Sequence, residues 1–146
     1  MIAAVCQCHR VYELLLTIPG FGPYVAAQVL ARIGDPTRFA GRKQVIRLAG
    51  FDLGAKRSGK RSDIAVPVIS KRGNADLRYA LYQAAQIATY HNEHFRALFV
   101  RCLKGRERER GITTKVRVKL AVKMLVIAWT MMKNAVAFDP SLLNLG

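Results

Sequence analysis

The chain has 146 residues, and 51% of them are of hydrophobic type. One domain with a real core is therefore expected, and a disordered basic tail is excluded. Lys and Arg outnumber Asp and Glu by 24 to 9, a formal net charge of +15. A surface this basic selects a polyanionic partner, most commonly nucleic acid, although charge alone does not separate DNA from RNA. The three cysteines, Cys6, Cys8 and Cys102, make no disulfide framework and read as reduced and intracellular. Cys6, Cys8 and His9 lack a second ligand pair at zinc spacing. The apolar run from Met124 to Met132 is bracketed by Lys123 and Lys133 and is too short to span a bilayer. With no targeting signal at the start, a cytoplasmic, nucleoid-associated protein is expected, with no membrane partner.

Residues 1–11 read as a short leader, 12–140 as the domain and 141–146 as a tail. The stretch LLLTIPGFGPYVAAQVLA, from Leu14 to Ala31, is an apolar run, a Pro-Gly-Phe-Gly-Pro turn and a second apolar run. Pro19 and Pro23 restrict the backbone, while Gly20 and Gly22 tolerate positive φ. That pattern predicts helices near 12–18 and 24–33, and the whole unit, 12–34, resembles a helix-hairpin-helix, a module that reads nucleic-acid backbones. The N–H groups around Gly20 and Gly22 and at the start of the second helix then point at a phosphate, with the helix dipole in favour. The plain alternative is an αα-hairpin with no ligand.

Gly34-Asp35-Pro36 breaks the second helix, and Thr37 is the expected cap of a third, over 38–49, stopped by Gly50. The segment 51–73 is rich in Gly, Ser, Lys and Arg and has no helical period. Its DIAVPVIS portion is strand-like, and Pro67 confines that to an edge or a loop. Helical periodicity returns over 75–91, 93–108 and 113–134. Leu77, Leu81, Ala84 and Ala88, widened by Ala80, Ala85 and Ile87, form one apolar stripe. Lys115, Lys119 and Lys123 recur every fourth residue and align as a basic ridge. The fold expected is mainly α: a helical domain with an irregular or short β-hairpin insertion near 51–73.

The insertion carries the concentration of chemistry. Lys56, Arg57, Lys60 and Arg61 surround Ser58, and Lys71 and Arg72 precede Gly73-Asn74 at a helix start. Cations beside a hydroxyl favour its alkoxide and stabilise charge on a phosphorane-like transition state, and Gly59 leaves room for a backbone. Composition alone describes a loop that grips phosphate.

Four blocks in one order, TIPGFGPYVAAQVLARIGD, RLAGFDLGAKRSGK, ISKRGNADLRYALYQAA and KLAVKMLVIAWTMM, resemble the C-terminal transposase domain of the IS116/IS110/IS902 insertion-sequence family. The resemblance runs from about Leu14 to Pro140. It implies a DNA recombinase guided by a structured bridge RNA. Its N-terminal RuvC-like domain would hold Mg²⁺ in a carboxylate quartet, and its C-terminal domain would supply a serine nucleophile in a Ser-Gly context. Ser58, followed by Gly59, matches that context. The nine acidic residues here are scattered and make no such quartet, so the RuvC-like domain is expected to lie outside this chain. The resemblance thus implies no cofactor on this chain, Mg²⁺ in the RuvC-like half, and little activity in isolation. The partners implied are DNA, bridge RNA, that other half and a second copy. A non-catalytic nucleic-acid-binding fragment is the competing reading, and a small ribosomal-type protein a weaker third.

Overall fold

The computed structural model describes residues 2–54, 68–69 and 73–144, and side chains over 8–52 and 73–144. Among these residues the fold is mainly helical: α1 (Ile2–Leu15), α2 (Pro23–Ile33), α3 (Arg42–Ala49), α4 (Ala75–His91), α5 (Glu93–Leu103) and α6 (Ile112–Asn134). Two short strands, β1 (Leu53–Gly54) and β2 (Val68–Ile69), pair antiparallel, Leu53 with Ile69 and Gly54 with Val68.

The long helix α6 is the centre of the packing. It lies against α1, α3, α4 and α5 and buries Val116, Leu120, Ala121, Leu125, Ala128 and Trp129 among others. Met124, Met131 and Met132 are also buried, so the methionine cluster is core. Opposite α6, α4 presents Ala80, Ala84, Ala85 and Ala88, all 0% exposed. Side chains that small let neighbouring backbones come close. Ile87, expected to widen the stripe, is instead 47% exposed, because the alanines already fill the contact and its position points away from it.

Three boundaries differ from the sequence expectation. First, α1 begins at Ile2 and takes in most of the expected leader. No Pro or Gly interrupts the chain before Pro19, and His9 pairs with Glu13 one turn on, at 3.1 Å. Second, Thr37 does not cap α3. Asp35 Oδ1 accepts from Thr37 N at 2.9 Å and Thr37 Oγ1 at 2.7 Å, closing a short 3-10 turn over Pro36–Arg38. The helix restarts only after Gly41, whose N–H donates to Gln44 Oε1 at 2.7 Å. Trp129 Nε1 donates to Pro36 O at 2.9 Å and ties the 3-10 turn to α6. Third, α5 stops at Leu103 rather than near 108, because Gly105 takes φ +81 and turns the chain.

The bounds of α4 agree with the sequence expectation. Asn74 Oδ1 accepts from Leu77 N at 2.9 Å at its start, and Asn92 follows its end.

Candidate nucleic-acid interface

Three parts of the chain carry the residues singled out by sequence. The α1–α2 turn comes first. Ile18 and Phe21, 1% and 6% exposed, anchor it in the core. Thr17 Oγ1 accepts from Phe138 N at 2.9 Å, so the C-terminal segment braces it. Gly22 is the N-cap of α2 in an extended conformation, and no side chain caps that end. Pro23 supplies no N–H, and the first helical bond runs from Ala26 N to Gly22 O at 3.0 Å. The N–H groups of Gly22, Tyr24 and Val25 therefore meet no acceptor among the described residues.

Gly20 and Gly22 prove to have different surroundings. A Cβ on Gly22 would meet nothing within 4 Å. On Gly20, at φ +86, it would sit 2.3 Å from Ala84 O and 3.1 Å from the Ala88 Cβ. Gly20 thus faces α4, and its lack of a side chain serves helix packing. Only Gly22 leaves open space beside the unsatisfied N–H groups.

The second part is the base of the segment expected to carry the serine. Helix α3 ends at Gly50, left-handed at φ 77, and Phe51 N donates to Ile46 O at 3.2 Å. The chain returns at Gly73, against the same helix end. A Cβ there would lie 2.2 Å from Gly50 N and 2.3 Å from Leu48 O. Asn74 N donates to Leu48 O at 2.9 Å, and Arg78 Nη1 to Ala49 O at 3.1 Å. So the conspicuous Lys-Arg-Gly-Asn block ends in two residues that dock on the α3 C-terminus. Departure and return of the segment share one anchor, and the β1–β2 pair extends it. Ser58, Lys56, Arg57, Lys60, Arg61, Lys71 and Arg72 lie outside the described residues.

The third part is the ridge on α6, which divides in two. Lys115 Nζ lies 3.2 Å from Glu109 Oε1, and Arg106 Nε lies 3.0 Å from Glu109 Oε2. Hydrogen bonds from Arg106 and then Lys115 hold the Glu109 carboxyl below its usual range. Lys115 is thereby engaged in the α5–α6 turn. Lys119 and Lys123 instead line a groove of about 420 Å³ with Arg42 and Lys43 of α3, floored by Ile46, Val122 and Val126. Arg42 and Lys43 escaped the sequence reading, although a paired cation at a helix start was a usable signal.

Among the described residues no three His, Cys, Asp or Glu side chains gather where a metal ion would be held. No metal-dependent step is assigned to them. No helix among the described residues is long and apolar enough to cross a membrane.

These observations define a mainly helical, strongly basic domain with an unsatisfied helix start and a shared anchor at Gly50 and Gly73. The chain belongs to the IS116/IS110/IS902 transposase family, whose pattern matches residues 12–100. It is 29% identical over 136 residues to the pilin gene-inverting protein of Moraxella bovis, covering 90% of this chain and 39% of that protein. It is 27% identical over 127 residues to the transposase for insertion sequence element IS1328 of Yersinia enterocolitica, covering 87% and 37%. An uncharacterised 42 kDa protein of insertion element IS900 from Mycobacterium paratuberculosis is 28% identical over 143 residues, covering 97% and 34%. The chain spans between 31% and 39% of the length of the curated relatives it matches.

Proposed function

We propose that this chain is the DNA-gripping, serine-bearing part of an insertion-sequence transposase. The observation that carries the DNA reading is the start of α2. The N–H groups of Gly22, Tyr24 and Val25 meet no acceptor among the described residues, and Gly22 borders open space, in a chain of net charge +15. Such a start, after a tight turn between two packed helices, acts as a helix-hairpin-helix acts: it grips a backbone phosphate without reading bases. Family membership favours DNA as the polyanion, and the Moraxella bovis relative is named for inverting a gene.

The chemical half of the proposal rests on the family resemblance at Ser58-Gly59. The Ser58 hydroxyl attacks the phosphorus of a DNA phosphodiester. A new Oγ–P bond forms, the bridging P–O bond breaks, and the serine proton ends on the departing DNA hydroxyl. The strand is left as a phosphoserine diester, and the reverse attack rejoins it. Lys56, Arg57, Lys60 and Arg61 offset the charge of the five-coordinate transition state. The common anchor of residues 50 and 73 suits this role, because it fixes where the segment leaves and re-enters the domain. Mg²⁺, bridge RNA and the RuvC-like half belong to the rest of the machinery, and duplex binding is assigned to this chain alone.

The test is Gly22→Glu. The site is open and its backbone is extended, so the fold accommodates the change. The new carboxylate occupies the anion position itself and repels phosphate. Loss of one charge-assisted contact of about 1.5–3 kcal/mol predicts at least a roughly tenfold weaker affinity for duplex DNA. Fluorescence anisotropy reads it. Unchanged affinity with an unchanged circular dichroism spectrum would remove the α2 start from the interface.

A further inference from the structure

The groove between α3 and α6 is built from elements that take no part in the α1–α2 turn. Its rim carries Arg42 and Lys43 from the first turn of α3, and Lys119 and Lys123 one helical turn apart on α6. Ile46, Val122 and Val126 form an aliphatic floor between them. Burial holds the Lys123 ammonium below the usual lysine range, and Lys119, Arg101 and Arg42 push it the same way. Four cations from two helices, α3 and α6, thus line one groove despite mutual repulsion. The C-terminal turn of α3 anchors both ends of the segment expected to carry the serine, and Ile46 serves both places: it floors the groove and its carbonyl accepts from Phe51 N. At 1.5 Å per residue the Arg42 end of the groove lies about 12 Å from Gly50 along the helix axis.

We propose that this groove is a second DNA-backbone site, holding a stretch of backbone separate from the one gripped at the start of α2. The charge is complementary to phosphate, and four cations on two facing helices span more than one phosphate of a strand. The aliphatic floor receives the deoxyribose face between phosphates, which a purely ionic surface does not offer. The identification of the polyanion as DNA rests on the transposase reading. The consequence is spatial. A strand held at both the groove and the α2 start is fixed at two points, and α3 joins one of them to the anchor at Gly50 and Gly73.

The test compares two double variants of the full chain on a short DNA duplex of arbitrary sequence across a salt series. Lys43→Gln with Lys119→Gln removes two groove cations, both exposed and in helices that accept glutamine. Arg108→Gln with Arg110→Gln removes two exposed cations from the α5–α6 turn and controls for net charge. The groove pair is expected to reduce the slope of log K against log salt by about 1.8, two phosphates at about 0.9 each. The control pair should leave the slope nearly unchanged. Equal effects of the two pairs would overturn the groove as a site and leave the α2 start untouched. A groove effect seen with an RNA duplex and not with DNA would overturn the assignment to DNA. A groove effect alongside a silent Gly22→Glu would sink the α2 reading and leave the groove standing.

Discussion

Ser58→Ala is expected to abolish the covalent protein–DNA adduct of the assembled recombinase while leaving duplex binding nearly intact. The experiment supplies the RuvC-like half in trans with its guide RNA and DNA, then looks for protein that stays on DNA through denaturation. A hydroxyl that forms the covalent bond has no substitute in alanine. Removing a nucleophilic serine costs about six orders of magnitude in rate where such a loss has been measured. Binding should survive, because the phosphate contacts assigned to Gly22 and to the groove come from other elements. Ser62→Ala and Ser70→Ala are the internal controls. An adduct that survives Ser58→Ala and disappears with either of them would move the nucleophile. Cleavage by the isolated 146-residue chain would show that the chemistry needs no second half.

Gly20→Ala is expected to destabilise the fold by about 2–4 kcal/mol, the sum of strain at positive φ and overlap with a packed backbone. The new Cβ would sit 2.3 Å from Ala84 O, and neither backbone is free to retreat, since Ile18 and Phe21 pin the turn. In a domain of this size that corresponds to a fall in Tm of about 10 °C. Gly22→Ala, two residues away in open space, should leave Tm close to the parent. Thermal unfolding by circular dichroism separates the pair. Equal Tm values for both variants would contradict the close approach of the turn to α4.

That contrast shows where sequence reading stops. Two glycines in one Pro-Gly-Phe-Gly-Pro turn carry the same local signal. Their difference is tertiary, since Ala84, on a helix far along the chain, decides which one has room. Helix α4 was legible because Asn74 caps it, alanine and leucine recur at helical spacing, and Asn92 ends it. The start of α3 was not, because Asp35 outcompetes Thr37 for the capping role and spends it on a 3-10 turn. The end of α5 was obscured by Arg106 to Arg110, a run with good helix propensity that Gly105 overrides by its position. Among site residues, the ridge at Lys115, Lys119 and Lys123 was visible as a period, and its division was not. Glu109 claims Lys115, and only the packing of α3 on α6 brings Arg42 and Lys43 to the other two.

Above all, we propose that this basic helical domain grips duplex DNA through its backbone. The most direct measurement is the affinity of the 146-residue chain for duplexes of unrelated sequence as salt rises. Similar affinities are expected for every sequence, with a steep, linear fall of log K with log salt, as counterions released on binding require. Absence of affinity at low salt, or binding indifferent to salt, would contradict it.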